Sequence, residues 1–169
     1  MKTIRRNTFE TNSSSTHSLT LCEADVYDRI GIDYFICNAD SVVVSIDEIK
    51  TGLLETYKGL SQKDVNLLWD AFLEHLDQFK DVKANIYDYD SSPEDVVNDL
   101  GLDEEEYFTK YFNLSPKLKK IFNEQLLDYM DMDIYDEQNN ESGLEWYSET
   151  YTTRKGDKVI AFGYYGYPN

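Results

Sequence analysis

The amino-acid sequence predicts an α+β protein in which a helical middle packs on a small antiparallel or mixed sheet. Apolar residues recur at helical spacing through the middle of the chain, whereas alternating, strand-like segments occupy both ends. A chain of 169 residues is long enough to bury its own core and lies within the usual size of one domain. We therefore expect residues 1–169 to form a single domain, with a sheet built from N- and C-terminal strands.

The N-terminal quarter of the chain is predicted to form strands and turns. Residues 18–22 alternate loosely, and residues 34–37 and 42–44 are two short runs of the kind favoured in strands. Residues 38–41 between them have the composition of a turn. The apolar residues of segment 46–59 then follow helical spacing, and a glycine ends the run.

The clearest helix begins after Ser61. A serine followed three residues later by Asp64 is typical of a helix N-terminus, because each side chain bonds the other residue's backbone N–H. His75 is expected off the centre of the apolar face of this helix. The residues of that face, all expected in the core, are Val65, Leu68, Trp69, Phe72, Leu73, Leu76 and Phe79.

Three shorter helices are predicted after it. Ser92 and Ser115 each precede a proline, and this combination of cap and first-turn residue starts helices. We expect the first helix to end near Gly101 and the second to run to about Tyr129. The four carboxylates of residues 103–106 are expected to begin another helix between them, since acidic residues favour a helix N-terminus.

The remaining segments are read as strands and a loop. Residues 84–89 are predicted as a strand, and the polar stretch 137–143 is predicted as a loop. Residues 145–153 and 158–165 alternate around the turn-forming residues 154–157. This pattern predicts a β-hairpin at the C-terminal end.

The charge of the chain restricts its partners. Its 33 acidic and 16 basic side chains give a net charge of −17, which argues against direct binding of nucleic acid and of anionic membranes. Residues 81–150 alone hold 19 acidic and 5 basic side chains. Such an excess is typical either of a solvated surface or of an acidic face that binds a basic partner.

The cysteines and the lack of a long apolar run bear on the cellular compartment and on cofactors. Cys22 and Cys37 have no metal-site spacing, and we expect them to be reduced thiols in a cytosolic protein. No apolar segment follows the basic residues 1–7, and no run approaches the length of a membrane span. We expect a soluble protein in the cytoplasm of a host bacterium, with no cofactor and no bound metal.

The most unusual local feature is a polar cluster near the N-terminus, in residues 9–18, six of which carry hydroxyl groups. Three functions fit this cluster besides a polar loop that binds its own backbone. An anion site would use the hydroxyls of the cluster and the upstream arginines. Nucleophilic catalysis would use a serine as nucleophile, His17 as base and Glu10 as the orienting group. A metal site would use His17 together with carboxylates. The candidate ligand-binding residues are Arg5, Arg6, Asn12, Ser13, Ser15 and His17.

The same segment carries a family resemblance. It covers about 15 of the 169 residues, in the run Arg5-Arg6-Asn7-Thr8-Phe9-Glu10-Thr11-Asn12-Ser13-Ser14-Ser15-Thr16-His17-Ser18. This run resembles the N-terminus of uncharacterised proteins of bacteriophages and prophage-like elements. The resemblance implies an origin in a mobile element, and it implies no activity or catalytic residue.

Carboxylates on predicted helices supply the second candidate site. Asp and Glu held at fixed spacing imitate the phosphates of a duplex and can occupy the basic groove of a nucleic-acid enzyme. The partner-binding candidates are Asp95, Asp99, Asp103, Glu104, Glu105, Glu106, Asp128, Asp131, Asp133 and Asp136. Tyrosines at 107, 111, 129 and 135 lie among them as interface anchors or as core residues. A divalent metal fits these carboxylates less well, because the calcium-loop spacing is absent.

Two functional hypotheses follow from these features. The first is a phage or mobile-element protein that acts by binding: a nucleic-acid mimic that inhibits a basic host protein handling nucleic acid or defending the cell, such as a CRISPR nuclease. The alternative is a protein that binds a small ligand or nucleotide phosphate at the N-terminal polar cluster, either as a binding protein or as an enzyme. No catalytic motif is recognisable, so the sequence favours a binding protein over an enzyme without deciding between them.

Overall fold

The computed structural model describes residues 16–17, 19–82, 91–104, 106–141 and 145–166. Within them the elements follow one another as β1 (Thr16–His17), β2 (Thr20–Glu23), α1 (Ala24–Tyr27), β3 (Tyr34–Cys37), β4 (Val42–Ser45), α2 (Ile46–Thr56), α3 (Gln62–Val82), α4 (Pro93–Leu100), α5 (Thr109–Phe112), α6 (Pro116–Gln125), β5 (Tyr129–Met130), α7 (Met132–Glu141), β6 (Glu145–Thr152) and β7 (Lys158–Gly166). The chain divides into a terminal unit, Met1–Ser45 with Met130–Asn169, and a helical unit, Ile46–Tyr129.

A four-stranded antiparallel sheet joins the two ends of the chain in the terminal unit. β7 pairs with β6 along one edge, and with β2 and β1 along the other. The predicted C-terminal hairpin is therefore confirmed, with Glu145 opposite Tyr165 and Thr152 opposite Lys158. The predicted α+β class, with a sheet built from N- and C-terminal strands, is also confirmed.

One face of this sheet packs on helices of the terminal unit. Phe162 and Tyr164 of β7 are buried, at 0% and 2% exposure. The ring of Phe162 contacts that of Tyr27 in α1 at 5.1 Å and that of Tyr135 in α7 at 6.1 Å, between centroids. Thr20, opposite Phe162 in the register, is fully buried, and its hydroxyl donates to the carbonyl of Ser41 at 3.1 Å. These aromatic contacts form the core on which the sheet rests.

The second sheet has three strands in the order β4, β3, β5. The predicted pair of short strands is confirmed, with Phe35 opposite Val44 and a turn between the strands. The side chains of Phe35 and Ile36 are almost completely buried. Cys22 and Cys37 are buried free thiols, as expected for reduced cysteines, and burial raises the pKa of the Cys22 thiol to about 12.

The helical unit is organised around α3. Ser61 and Asp64 bond each other's backbone N–H, at 3.2 Å from Asp64 N to Ser61 Oγ and 2.8 Å from Ser61 N to Asp64 Oδ2. The predicted cap is confirmed. The apolar face is buried except for Leu73, which is 39% exposed. Glu74 on this helix accepts from Thr109 Oγ1 and from the backbone N–H of Lys110, and so stabilises the start of α5.

The predicted starts of α4 and α6 are also confirmed. Ser92 and Asp95 form a reciprocal pair of cap hydrogen bonds, and Pro93 occupies the first turn. Gly101 ends α4 in the left-handed region, at φ 63°, which glycine adopts without strain. Ser115 caps α6 through a bond from the backbone N–H of Leu118.

The structure corrects the boundaries of two helices near α6. Among the described residues of this segment, Asp103, Glu104 and Glu106 belong to no helix, and α5 begins only at Thr109. Phe108 takes a left-handed conformation, φ 54°, and its ring is fully buried, so burial of that ring interrupts the helical path. α6 ends at Gln125 rather than about Tyr129, because β5 pairs with β3 directly afterwards.

One other expectation is wrong and one is not covered. Residues 137–141, predicted as part of a loop, belong to α7, which starts from an Asp131 cap and buries Ile134 and Tyr135. His75, placed off the centre of the apolar face of α3, is fully buried. The strand predicted for residues 84–89 lies outside the described residues. The single-domain organisation stays a prediction.

His75 is surrounded by aromatic rings. Its ring centroid lies 6.0 Å from that of Phe79, 5.7 Å from that of Phe108 and 5.8 Å from that of Phe122. Because this setting cannot solvate a charged imidazole, burial lowers the pKa of His75 to about 3. The residue is therefore neutral at physiological pH.

Acid is expected to destabilise the protein through His75. The folded-state pKa lies below the ordinary 6.5, so the unfolded chain binds the proton first and stability is lost as the pH falls below 6.5. At about pH 4.5 this group removes roughly 2–3 kcal/mol from the free energy of unfolding. Urea unfolding of wild type and His75→Leu at neutral and acid pH measures the difference. Both proteins share all carboxylates, so equal pH dependences would contradict the assignment.

Candidate functional site

A tyrosine–glutamate face lies on the side of the four-stranded sheet opposite the helix-packed core. We define it by Glu145, Tyr147, Glu149 and Tyr151 of β6 and Tyr165 of β7. Side chains alternate between the two faces of a strand, and directly paired residues share a face. The other set in β6 therefore lies on the core side, where the Trp146 ring contacts those of Phe162 and Tyr164 in β7.

This face is large and open. Tyr151 is 46% exposed and Tyr165 is 42% exposed, although both are large aromatic side chains. Ala161 of β7 lies between Glu149 and Leu21 in the register and is buried, so a small side chain forms the floor between larger ones. Exposed tyrosines are a common feature of binding surfaces.

Hydrogen bonds order the side chains of the face. Tyr147 Oη donates to Glu149 Oε2 at 2.6 Å, and Tyr151 Oη donates to the same carboxylate oxygen. The two phenol oxygens lie 2.5 Å apart. Tyr165 Oη donates to Glu145 Oε2 at 2.6 Å across the strand pair. Each glutamate is thus held in position by at least one phenol.

These bonds also set the charge of the face. The phenol donors lower the pKa of Glu149, with Tyr147 as the largest cause and Tyr151 next. The hydrogen bond to Glu149 raises the pKa of Tyr147, and the bond to Glu145 raises that of Tyr165. At neutral pH Glu149 is therefore ionised, and Tyr147 and Tyr165 are neutral. The face therefore combines negative charge with aromatic surface.

The carboxylates predicted to bind a partner are divided between the two units. Those described in the helical unit are Asp95, Asp99, Asp103, Glu104, Glu106 and Asp128, whereas Glu105 lies outside the described residues. Asp99 is exposed near the C-terminal end of α4, and Glu104 and Glu106 are exposed in the turn that follows. Asp95 is exposed but serves as the cap partner of Ser92. Their role in binding stays a prediction.

In the terminal unit, Asp131 and Asp136 have structural roles. Asp131 is only 7% exposed, and its Oδ1 accepts from the backbone N–H of Ile134 at 3.0 Å, which caps α7. The Asp136 carboxylate accepts from Tyr164 Oη, which lies 3.0 Å from the Asp136 carbonyl oxygen as well. Asp133 is exposed. Of the tyrosines proposed as anchors, Tyr111 and Tyr135 are buried in the core.

The N-terminal polar cluster is mostly outside the described residues. Arg5, Arg6, Asn12, Ser13 and Ser15 fall there, so the alternative ligand site stays a prediction. The backbone of His17 belongs to β1 and pairs with Tyr165 of β7.

Metal and pocket chemistry are limited in the described part of the chain. No group of three or more His, Cys, Asp or Glu side chains is placed there to hold a metal ion. An open pocket of about 320 Å³ is lined by Glu23, Asp25, Asp157 and Lys158. Its carboxylates and its lysine do not converge on one kind of ion. The tyrosine–glutamate face is therefore the stronger candidate.

The alternation that forms this face is visible in the sequence, but the sequence analysis did not select these residues as a binding site. Residues 145–151 alternate glutamate and tyrosine at every second position, which is the period of one side of a strand. The sequence predicts the hairpin, but which side of β6 faces the core depends on the partners of β7. Both sides of β6 are exposed, and only the register shows that the Glu/Tyr side lies away from the buried Phe162 and Tyr164 of β7.

Comparison with known proteins adds no assignment. The chain matches no protein-family model, no curated protein and no solved structure. Among the described residues, no helix has both the length and the apolar character needed to cross a membrane. Functional inference rests on the geometry and charge of the chain itself.

The two kinds of carboxylate are expected to respond differently to substitution. Asp131→Ala removes the α7 cap and is expected to lower the free energy of unfolding by about 1 kcal/mol. Asp99→Ala removes the same charge from an exposed position and is expected to change it by less than about 0.5 kcal/mol. Urea unfolding at neutral pH compares the two. An equal loss in both variants would show that Asp131 does not stabilise α7 through its cap.

Proposed function

We propose that the chain acts by binding a basic protein through the tyrosine–glutamate face. The observation that carries this proposal is the combination of exposed tyrosines with glutamates that they hold in position. Tyrosine is enriched at binding hot spots, and its ring also attracts lysine and arginine. In the part of the chain that the structure describes, neither Glu145 nor Glu149 has a salt-bridge partner. Their charge is available to a basic partner.

The net charge of the chain supports the same sign of partner. At −17, the protein attracts basic surfaces over a distance set by the salt concentration, and this attraction accelerates encounter. The tyrosine–glutamate face then supplies short-range contacts, and the exposed carboxylates Asp99, Glu104, Glu106 and Asp133 contribute to the long-range field. Affinity is expected to fall as salt is added.

The biological role that we propose depends on what the basic partner normally binds. A basic partner whose natural ligand is nucleic acid carries a groove that accepts phosphates, and a rigid array of carboxylates competes for that groove. Together with the phage-like N-terminal run, this competition for the groove favours an inhibitor of a basic host protein. Such a host protein handles nucleic acid or defends the cell, as a CRISPR nuclease does. On this proposal the protein acts by occupying a site, rather than by catalysis, in the cytoplasm of its host.

Variants that remove the negative charges of the face test the proposal. The double variant Glu145→Gln/Glu149→Gln keeps hydrogen-bond acceptors for the phenols and removes two charges. A matched control, Asp99→Asn/Glu104→Gln, removes two charges elsewhere. Basic proteins captured from a bacterial lysate by the wild type are identified, purified and titrated against all three chains. We expect the face variant to bind at least about tenfold more weakly and the control to bind nearly as the wild type does.

Two outcomes would contradict the proposal. If both double variants bind equally well, the face does not contact the partner. If the captured protein binds the wild type with the same affinity at low and high salt, the interaction is not the charge complementarity proposed here.

A further inference from the structure

The outer edge of β6 pairs with no strand among the described residues. In the described part of the chain β6 pairs with β7 and with no other strand, over all eight of its residues. In an antiparallel pair, the backbone groups not bonded to the neighbour point away from it, in a row along the edge. This row is a template for one more strand.

Three common protections of an edge strand, proline, lysine and a bulge, are missing from β6. Its residues are Glu145, Trp146, Tyr147, Ser148, Glu149, Thr150, Tyr151 and Thr152. They include no proline and no lysine, and the register with β7 runs through all eight positions without a bulge. Tyrosine, tryptophan and threonine are favoured in strands. The edge is thus competent to pair.

The side chains of β6 select what can pair with it. An added strand places each of its residues about 4.5–5.5 Å from the residue opposite, on the same face. On the exposed face it meets glutamate and tyrosine in alternation, which attract lysine or arginine by charge and by cation–π contact. A second copy of the chain would instead bring the same glutamates and another net charge of −17. Charge complementarity therefore favours a basic segment over self-association.

We propose that β6 docks an extended segment of the partner as an additional strand, with lysine or arginine at every second position facing Glu145 and Glu149. This inference rests on the proposed function and specifies how the partner is held. Backbone hydrogen bonds supply affinity that does not depend on the partner's side chains, and the Glu/Tyr alternation supplies selectivity. A basic surface with no extended segment would not satisfy the edge.

Synthetic eight-residue peptides with blocked ends test this mode of binding. The first alternates arginine and threonine, and the second has the same composition with four arginines followed by four threonines. In an added strand only every second peptide N–H points towards β6. Two further versions of the alternating peptide are therefore N-methylated at every second residue, one on the odd and one on the even positions.

Strand addition predicts a distinctive pattern of affinities. The alternating peptide is expected to bind at least about tenfold more tightly than the block peptide, and only one of the two N-methylated versions is expected to lose that affinity. Glu149→Lys should abolish binding, whereas Glu104→Lys, the same charge change in the helical unit, should retain most of it. Hydrogen exchange should slow at alternate backbone N–H groups of β6 when the peptide is bound.

The contrary results separate this inference from the proposed function. If the alternating and block peptides bind equally and both N-methylated versions bind as well as the parent, attraction is electrostatic alone and strand addition is wrong. If no peptide binds but Glu145→Gln/Glu149→Gln still loses the captured protein, strand addition is wrong and the face remains the binding surface. If neither the peptides nor the double variant shows any effect, both proposals are wrong.

Discussion

Pairing along both edges of β7 is the constraint on which the terminal unit depends. This strand joins the hairpin partner β6 to β1 and β2 from the other end of the chain. Its alternation directs Phe162 and Tyr164 into the aromatic core with Tyr27 and Tyr135. The same alternation places the Glu/Tyr side of β6 away from Tyr27 of α1 and Tyr135 of α7, on which the other side of the sheet packs. The exposed face is therefore a direct consequence of how the core is built.

Aromatic and acidic side chains have complementary effects on this face. The phenols of Tyr147 and Tyr151 donate to Glu149, which favours the ionised carboxylate and orients it. The carboxylates in turn hold the rings in a defined arrangement over the sheet. Binding surfaces lose less entropy when their side chains are ordered beforehand. A rigid strand pair is thus a better platform for such a surface than a loop of the same composition.

The large negative charge of the chain serves more than one purpose. Asp64, Asp95 and Asp131 satisfy backbone N–H groups at helix N-termini, and Glu74 does so for α5 from another helix. These carboxylates stabilise the fold, and their number says little about a partner. The charge that bears on binding is the part exposed on a rigid element. Counting acidic residues along a segment cannot separate the two groups, because a cap and a surface residue look alike in sequence.

The sequence by itself determined most local structure: the serine caps at Ser61, Ser92 and Ser115, the C-terminal hairpin and the mixed class all follow from short-range patterns. Tertiary structure decided what depends on distant partners. Burial of Phe108 interrupts a helix, and burial of Ile134 and Tyr135 extends one through a polar stretch. It also decided which side of β6 shares a face with the core residues of β7, since a strand's period defines two faces but only its neighbours determine which one meets the core.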